Sequence, residues 1–127
     1  MSHPAVAALG AMALLMLVQL FFAVAVSTRL QHIPGTTAAG GHEDPFFRAS
    51  RTVANTNETI AIFVLAVMFC IMSGAAEYAT AQAAWAFVVA RGAYAICYYL
   101  NMQTLRSLCF GLSLLALIAL LVIGFFS

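Results

Sequence analysis

Arg48-Ala-Ser-Arg51-Thr-Val-Ala-Asn55-Thr-Asn-Glu58 runs without a helix breaker into Ile60 to Met72, thirteen apolar residues in a row. Arg48, Arg51, Asn55 and Glu58 stand at offsets of three, seven and ten. At 3.6 residues per turn, positions i, i+3 and i+7 share one helix face. The stretch therefore reads as a helix that carries two cations, an amide and a carboxylate on one side and then enters hydrocarbon. Asp44-Pro45 starts it: the aspartate is an N-cap acceptor, and proline at the first position has no N–H to leave unpaired. Ser73-Gly74 ends it. A helix of about 28 residues is roughly 42 Å long, whereas bilayer hydrocarbon is about 30 Å thick. Its first turns, which hold the polar face, belong at or beyond a membrane surface.

The rest of the chain fits a membrane protein. Of its 127 residues 65% are hydrophobic and 7% are charged, against about 25% charged in soluble domains. A net charge of +1 gives no electrostatic case for nucleic acid. Ala5 to Val26 is an apolar run interrupted by Gln19. It is too long for a signal-peptide core and lacks a basic leader, so it reads as a retained membrane helix, with Gln19 bonding a neighbouring helix. Residues 27–42 read as a loop, marked by Pro34-Gly35 and Gly40-Gly41. His32, His42, Glu43 and Asp44 fit no metal-ligand spacing, and no metal site is expected. Ala75 to Thr80 reads as a connection holding Glu77. Ala81 to Leu100 reads as a third span with aromatics at both ends, Asn101 to Arg106 as a connection, and Leu108 to Phe126 as a fourth span. The expected fold is an all-α integral membrane protein, one four-transmembrane-helix bundle over residues 1–127, with helices at about 5–28, 45–73, 80–101 and 106–126. Cys70, Cys97 and Cys109 all fall in apolar segments with no C-x-x-C spacing, and read as buried small hydrophobes.

The five basic residues, Arg29, Arg48, Arg51, Arg91 and Arg106, all lie in or toward the first and third loops. The positive-inside rule puts those loops in the cytoplasm and both termini on the other side. Asn57-Glu58-Thr59 matches the glycosylation pattern, but that boundary position makes it a false match. Charges at mid-bilayer cost roughly 2.5–3.5 kcal/mol each, so Arg51, Glu58 and Arg91 must face protein or a water-filled cleft. Arg91, Tyr94 and Tyr98 repeat the i, i+3, i+7 spacing and give the third helix its own polar stripe. One reading is a structural Arg–Glu pair tying the second and third helices. Another is a ligand site, because one carboxylate cannot neutralise Arg51, Arg91 and Arg106 together. A ligand bearing carboxylates and an amine would use the arginines and Glu58 at once.

These residues resemble a known family, the membrane-associated proteins in eicosanoid and glutathione metabolism (MAPEG). The resemblance rests on Arg51-x-x-x-Asn55-x-x-Glu58, Arg91-x-x-Tyr94-x-x-x-Tyr98 and Leu105-Arg106-Ser107, with Arg48 and the Gln19-Leu-Phe-Phe22 segment in support. It implies a homotrimer of four-helix subunits, with a glutathione site between neighbouring subunits that opens to the cytoplasmic leaflet. By that resemblance Arg51, Asn55 and Glu58 bind the tripeptide, Arg91, Tyr94 and Tyr98 complete the pocket, and Arg48 and Arg29 contribute to it. Arg106 matches the arginine that catalytic members hold near the thiol. Tyr94 stands where some members have histidine. The short chain is similar to bacterial members of the microsomal glutathione transferase type, which implies the bacterial inner membrane.

The chemistry is consistent with that role. A free thiol has a pKa of about 8.5, and the thiolate is the nucleophile. A guanidinium beside the sulfur favours the thiolate, and a hydroxyl of Tyr94, Tyr98 or Tyr99 can share the task. The implied function is a detoxifying glutathione transferase or peroxidase that aims the thiolate at a lipophilic electrophile arriving from the bilayer. Two other readings stand beside it. One is a non-catalytic lipid- or glutathione-binding member of the same family. The other is a small four-helix multidrug-type transporter with Glu58 as proton carrier, against which the arginines argue.

Overall fold

A computed structural model describes residues 4–29 and 45–127 as four α-helices. They are α1 (Val6–Arg29), α2 (Pro45–Met72), α3 (Glu77–Tyr99) and α4 (Gln103–Phe125). The Asp44 cap, His32, His42 and Glu43 lie outside the described residues.

Both described connections are tighter than the sequence suggests. After α2, Ala75 N–H donates to Cys70 O (3.1 Å) and Gly74 N–H to Ile71 O (3.3 Å), with Gly74 at φ +73°. This pairing satisfies the last carbonyls of the helix, and glycine takes the left-handed position without a Cβ penalty. After α3 the same pattern recurs: Met102 N–H donates to Cys97 O (2.8 Å) and Asn101 N–H to Tyr98 O (3.0 Å), with Asn101 at φ 59°. Asparagine tolerates that conformation better than most residues. The turn therefore closes by Met102, and α4 starts at Gln103 rather than at 106, so that Arg106 lies in its first turn. Glu77 belongs to α3 and does not sit in a connection: it is the acidic residue of that helix's first turn, where the helix dipole favours it.

α2 and α3 each pack against all three other helices, whereas α1 and α4 make no contact with each other among the described residues. The bundle thus has two central and two outer helices. By length and composition three segments can cross a membrane: Val6–Val26, Phe47–Met72 and Gln103–Phe125. α3, expected as the third span, is not among them. It is 23 residues long but includes eight alanines together with Glu77, Thr80, Gln82 and Arg91, which dilutes its apolarity. Its central place explains the composition: small side chains let neighbouring backbones come close.

The two ends of the bundle differ in chemistry. The end holding the α2–α3 turn is apolar, with Met12, Phe63, Val67, Phe87, Leu117 and Leu120 in its core. Phe63 and Phe87 stack at 4.4 Å, and the Cys70 thiol donates to Leu120 O (3.0 Å), joining α2 to α4. The end holding the α3–α4 turn carries the arginines. Phe63→Ala should destabilise the protein by roughly 3 kcal/mol through the cavity it leaves, whereas Leu65→Ala, at an outward position that is 69% exposed, should change stability little. Denaturant unfolding in detergent micelles measures the difference.

Candidate functional site

Successive residues on α2 are about 100° apart, and this divides the polar stretch. Thr52, Thr56 and Thr59 join Phe63 on the buried face. Arg51 and Glu58 share a face about a third of a turn away and are exposed, and Asn55 falls between the two sets, half-buried. The stretch is therefore two surfaces meeting at Asn55.

The inner surface holds Arg91. Its side chain has 0% exposure. Nη2 donates to Asn55 Oδ1 (2.6 Å) and Thr56 Oγ1 (3.2 Å), and Cζ lies 4.3 Å from the Tyr94 ring centroid, a favourable place for a cation. Its Nε and Nη1 are buried and have no hydrogen-bond partner among the described residues. Neutral groups thus tie α2 to α3. The carboxylate of Glu58 approaches Arg51 instead, at 3.8 Å, within its own helix. The structural Arg–Glu pair between helices, one of the two readings of the sequence, is not formed.

Arg106 arrives from the first turn of α4. Its guanidinium lies 4.8 Å from the Tyr98 ring centroid, its Nε is buried without a hydrogen-bond partner among the described residues, and it interacts with Tyr94. Tyr94 meets Tyr98 edge-on at 5.7 Å and Phe110 at 6.2 Å. Asn55, Tyr94, Arg106, Ser107 and Phe110 line a cleft of about 230 Å³ between α2, α3 and α4. Tyr94 stands between two guanidiniums, and the cleft combines surplus positive charge with hydroxyl and amide groups. Such a lining suits an anion such as a carboxylate.

Not every expected residue converges there. Arg51 and Glu58 lie on the adjoining outer face, and Arg48 is half-buried on α2 outside the cleft lining. Arg29 ends α1, and its side chain is outside the described residues. Tyr99 turns toward α1, where its ring meets Phe22 at 4.2 Å. Gln19 is buried on α1 as expected, but its Nε2 finds no partner among the described residues. It faces a largely apolar groove that Asn57 also lines. Thr56, Ser107 and Phe110 had no expected role in the site, although Ser107 stood in the quoted Leu105-Arg106-Ser107 motif. Thr56 was legible as the neighbour of Asn55 on the buried side, and Phe110 as one turn beyond Arg106.

The MAPEG family model matches residues 5–126 of the chain. No curated protein matches it.

Asn55→Ala removes the shortest bond to a buried cation, and its expected cost is about 1.5–3 kcal/mol. Arg51→Gln breaks an exposed pair, and should cost less than about 1 kcal/mol. Thermal unfolding of the two variants side by side distinguishes them.

Proposed function

The chain belongs to the MAPEG family, and on that footing we propose that it is a glutathione-dependent membrane transferase or peroxidase. It is an integral membrane protein. Its family includes glutathione transferases and peroxidases as well as members without catalysis. The observation that carries the catalytic reading is the cleft itself. Arg106 borders it beside Tyr94, and the buried Arg91 behind Tyr94 has no hydrogen bond to a carboxylate among the described residues.

Each residue has a defined task in this reading. Arg51, Asn55 and Glu58 hold the tripeptide: Arg51 binds a carboxylate, Glu58 the amine, and Asn55 passes the peptide from the outer face into the cleft. Arg91 keeps Asn55 in place and adds positive potential behind Tyr94. Tyr98 supports the Arg106 guanidinium through its ring face. Arg106 and the Tyr94 hydroxyl stabilise the glutathione thiolate. Arg48 and Arg29 add positive charge at the same end of the bundle. The apolar electrophile reaches the sulfur from the lipid, so the protein supplies proximity and charge stabilisation.

The cleft also bears on assembly. Pockets that enclose small ligands span about 300–1,000 Å³, and this one is about 230 Å³. It accommodates the thiol end of glutathione, while the remainder extends over the exposed Arg51–Glu58 face. A neighbouring subunit covering that face would complete the site, as a homotrimer requires. In this reading the arginine-bearing end faces the cytoplasm, where glutathione is supplied, and the membrane is a bacterial inner membrane.

Calorimetric titration with glutathione, and with an analogue in which hydrogen replaces the thiol, tests the reading. Binding of both is expected. The sign of the pH effect follows from the thiolate. A site that favours it lowers the bound thiol's pKa below the free value of about 8.5. Binding at pH 7 then releases a proton, and affinity rises with pH until the free thiol itself ionises. The analogue shows neither effect. Arg106→Ala should abolish the proton release and lower kcat by about 100-fold while binding changes little. Full activity in that variant, or no binding of either compound, overturns the proposal.

A further inference from the structure

Gln19 is 2% exposed, and its Nε2 has no hydrogen-bond partner among the described residues. An amide N–H buried without an acceptor is costly, the more so in hydrocarbon. This amide lines a groove of about 400 Å³ between α1 and α2, and small-ligand pockets span about 300–1,000 Å³. Met16, Leu17, Leu20 and Val53 make the lining largely apolar, and Asn57 adds a second amide. No charged side chain lines it among the described residues. The groove is separate from the Arg106 cleft. Asn55 lines the cleft and Asn57 the groove, and two residues along a helix is a turn of about 200°. Depth narrows the choice of ligand further. The apolar span of α1 is Val6–Val26, so its middle falls at Met16. Gln19 lies one turn beyond, about 4.5 Å along the axis, close to the centre of a hydrocarbon layer about 30 Å thick.

We infer that this groove binds an uncharged lipophilic ketone, a class that includes quinones, whose carbonyl oxygen accepts a hydrogen bond from Gln19 Nε2. The unpartnered donor calls for an acceptor, the uncharged lining for a neutral molecule, and the apolar walls for a hydrocarbon body. A carboxylate would lie near the bilayer centre with no cation beside it, which is costly. The ester carbonyls of phospholipids lie at the edge of the hydrocarbon layer, about 15 Å from its centre, and do not reach Gln19. A buried water needs several polar partners, and apart from the two amides the side chains here are apolar. A ketone dissolved in the bilayer enters from the side, where Leu17 and Leu20 are exposed at the groove. The site holds its ligand without reacting with it: no thiol, hydroxyl or carboxylate lines it among the described residues.

The test irradiates benzophenone with the full chain in lipid nanodiscs. The ketone is its own probe, since its excited carbonyl bonds to a nearby C–H. Labelling is expected to saturate, and peptide mapping should place the adduct on Met16, Leu17, Leu20 or Val53. At equal concentration in the bilayer, dicyclohexyl ketone should compete about tenfold better than dicyclohexylmethane, which lacks only the oxygen. In infrared difference spectra the carbonyl stretch of bound benzophenone should move to lower frequency. Gln19→Leu should remove that shift and weaken binding by about tenfold as well. Leu17→Trp, which fills the groove from an exposed position, should abolish the labelling. Labelling that never saturates or is spread over all lipid-facing positions, equal competition by the two compounds, an unshifted carbonyl band, or unchanged affinity in Gln19→Leu overturns the inference. So does a groove closed by a second copy of the chain, seen as no labelling of the wild type and loss of the oligomer in Leu17→Trp. The competitor pair and the carbonyl band are read on the wild-type chain, so a variant that fails to fold leaves the test intact. No glutathione is present, and the outcome is independent of the glutathione reading.

Discussion

The guanidinium of Arg91 is buried with none of its surface exposed, and its hydrogen bonds go to neutral oxygens on the neighbouring helix. A buried cation is costly unless its donors are met. That requirement fixes the register of α2 against α3 at the polar end: Asn55 and Thr56 must stand level with Arg91, and Tyr94 must offer its ring face. At the apolar end the Phe63–Phe87 stack holds the same two helices in the same register. Two unlike interactions therefore position the central pair, one by hydrogen bonds and charge, the other by packing.

This constraint governs where lipid can touch the protein. α3 carries the buried arginine and many alanines, and it occupies a central place rather than an outer one. α1 and α4 carry many of the exposed large apolar side chains, among them Leu14, Phe21, Leu115 and Ile118. Hydropathy therefore marks the outer helices strongly and α3 weakly, although all three are of similar length. A helix shielded by its neighbours does not need the apolarity of one that faces hydrocarbon.

The same division shapes the site. Asn55 belongs both to the Arg91 network and to the cleft beside Arg106, so the group that accepts the shortest bond from the buried cation also lines that cleft. Arg51 and Glu58 remain outside on the adjoining face, close enough to each other to share charge. An exposed ion pair is held loosely, and it can exchange its partner for the charged ends of a zwitterion. In the proposed function that rim would rearrange on binding, while Arg91 would keep the floor of the cleft in place.

Much of the molecule was legible in the sequence. The apolar runs and the breakers Pro45 and Gly74 indicated helices, and the spacing of Arg51, Asn55 and Glu58 against Arg91, Tyr94 and Tyr98 indicated two polar stripes at one end, because helical periodicity is local. The family resemblance rested on those same residues. The sequence could not determine which way each member of a stripe turns. Seven residues bring Arg51 and Glu58 onto one face, but only the placement of α3 makes that the outer face and sends Asn55 inward. Nor could it identify Arg91's partners, since a carboxylate was available and amide and hydroxyl groups were used instead. The early start of α4 depended on Asn101 accepting a left-handed turn, which brings Arg106 into the first turn, over Tyr98. Contacts between helices depend on rotation and register, and these are set by packing among residues far apart in the chain. That is why the tertiary structure, and not the pattern, decided which polar groups share a cleft.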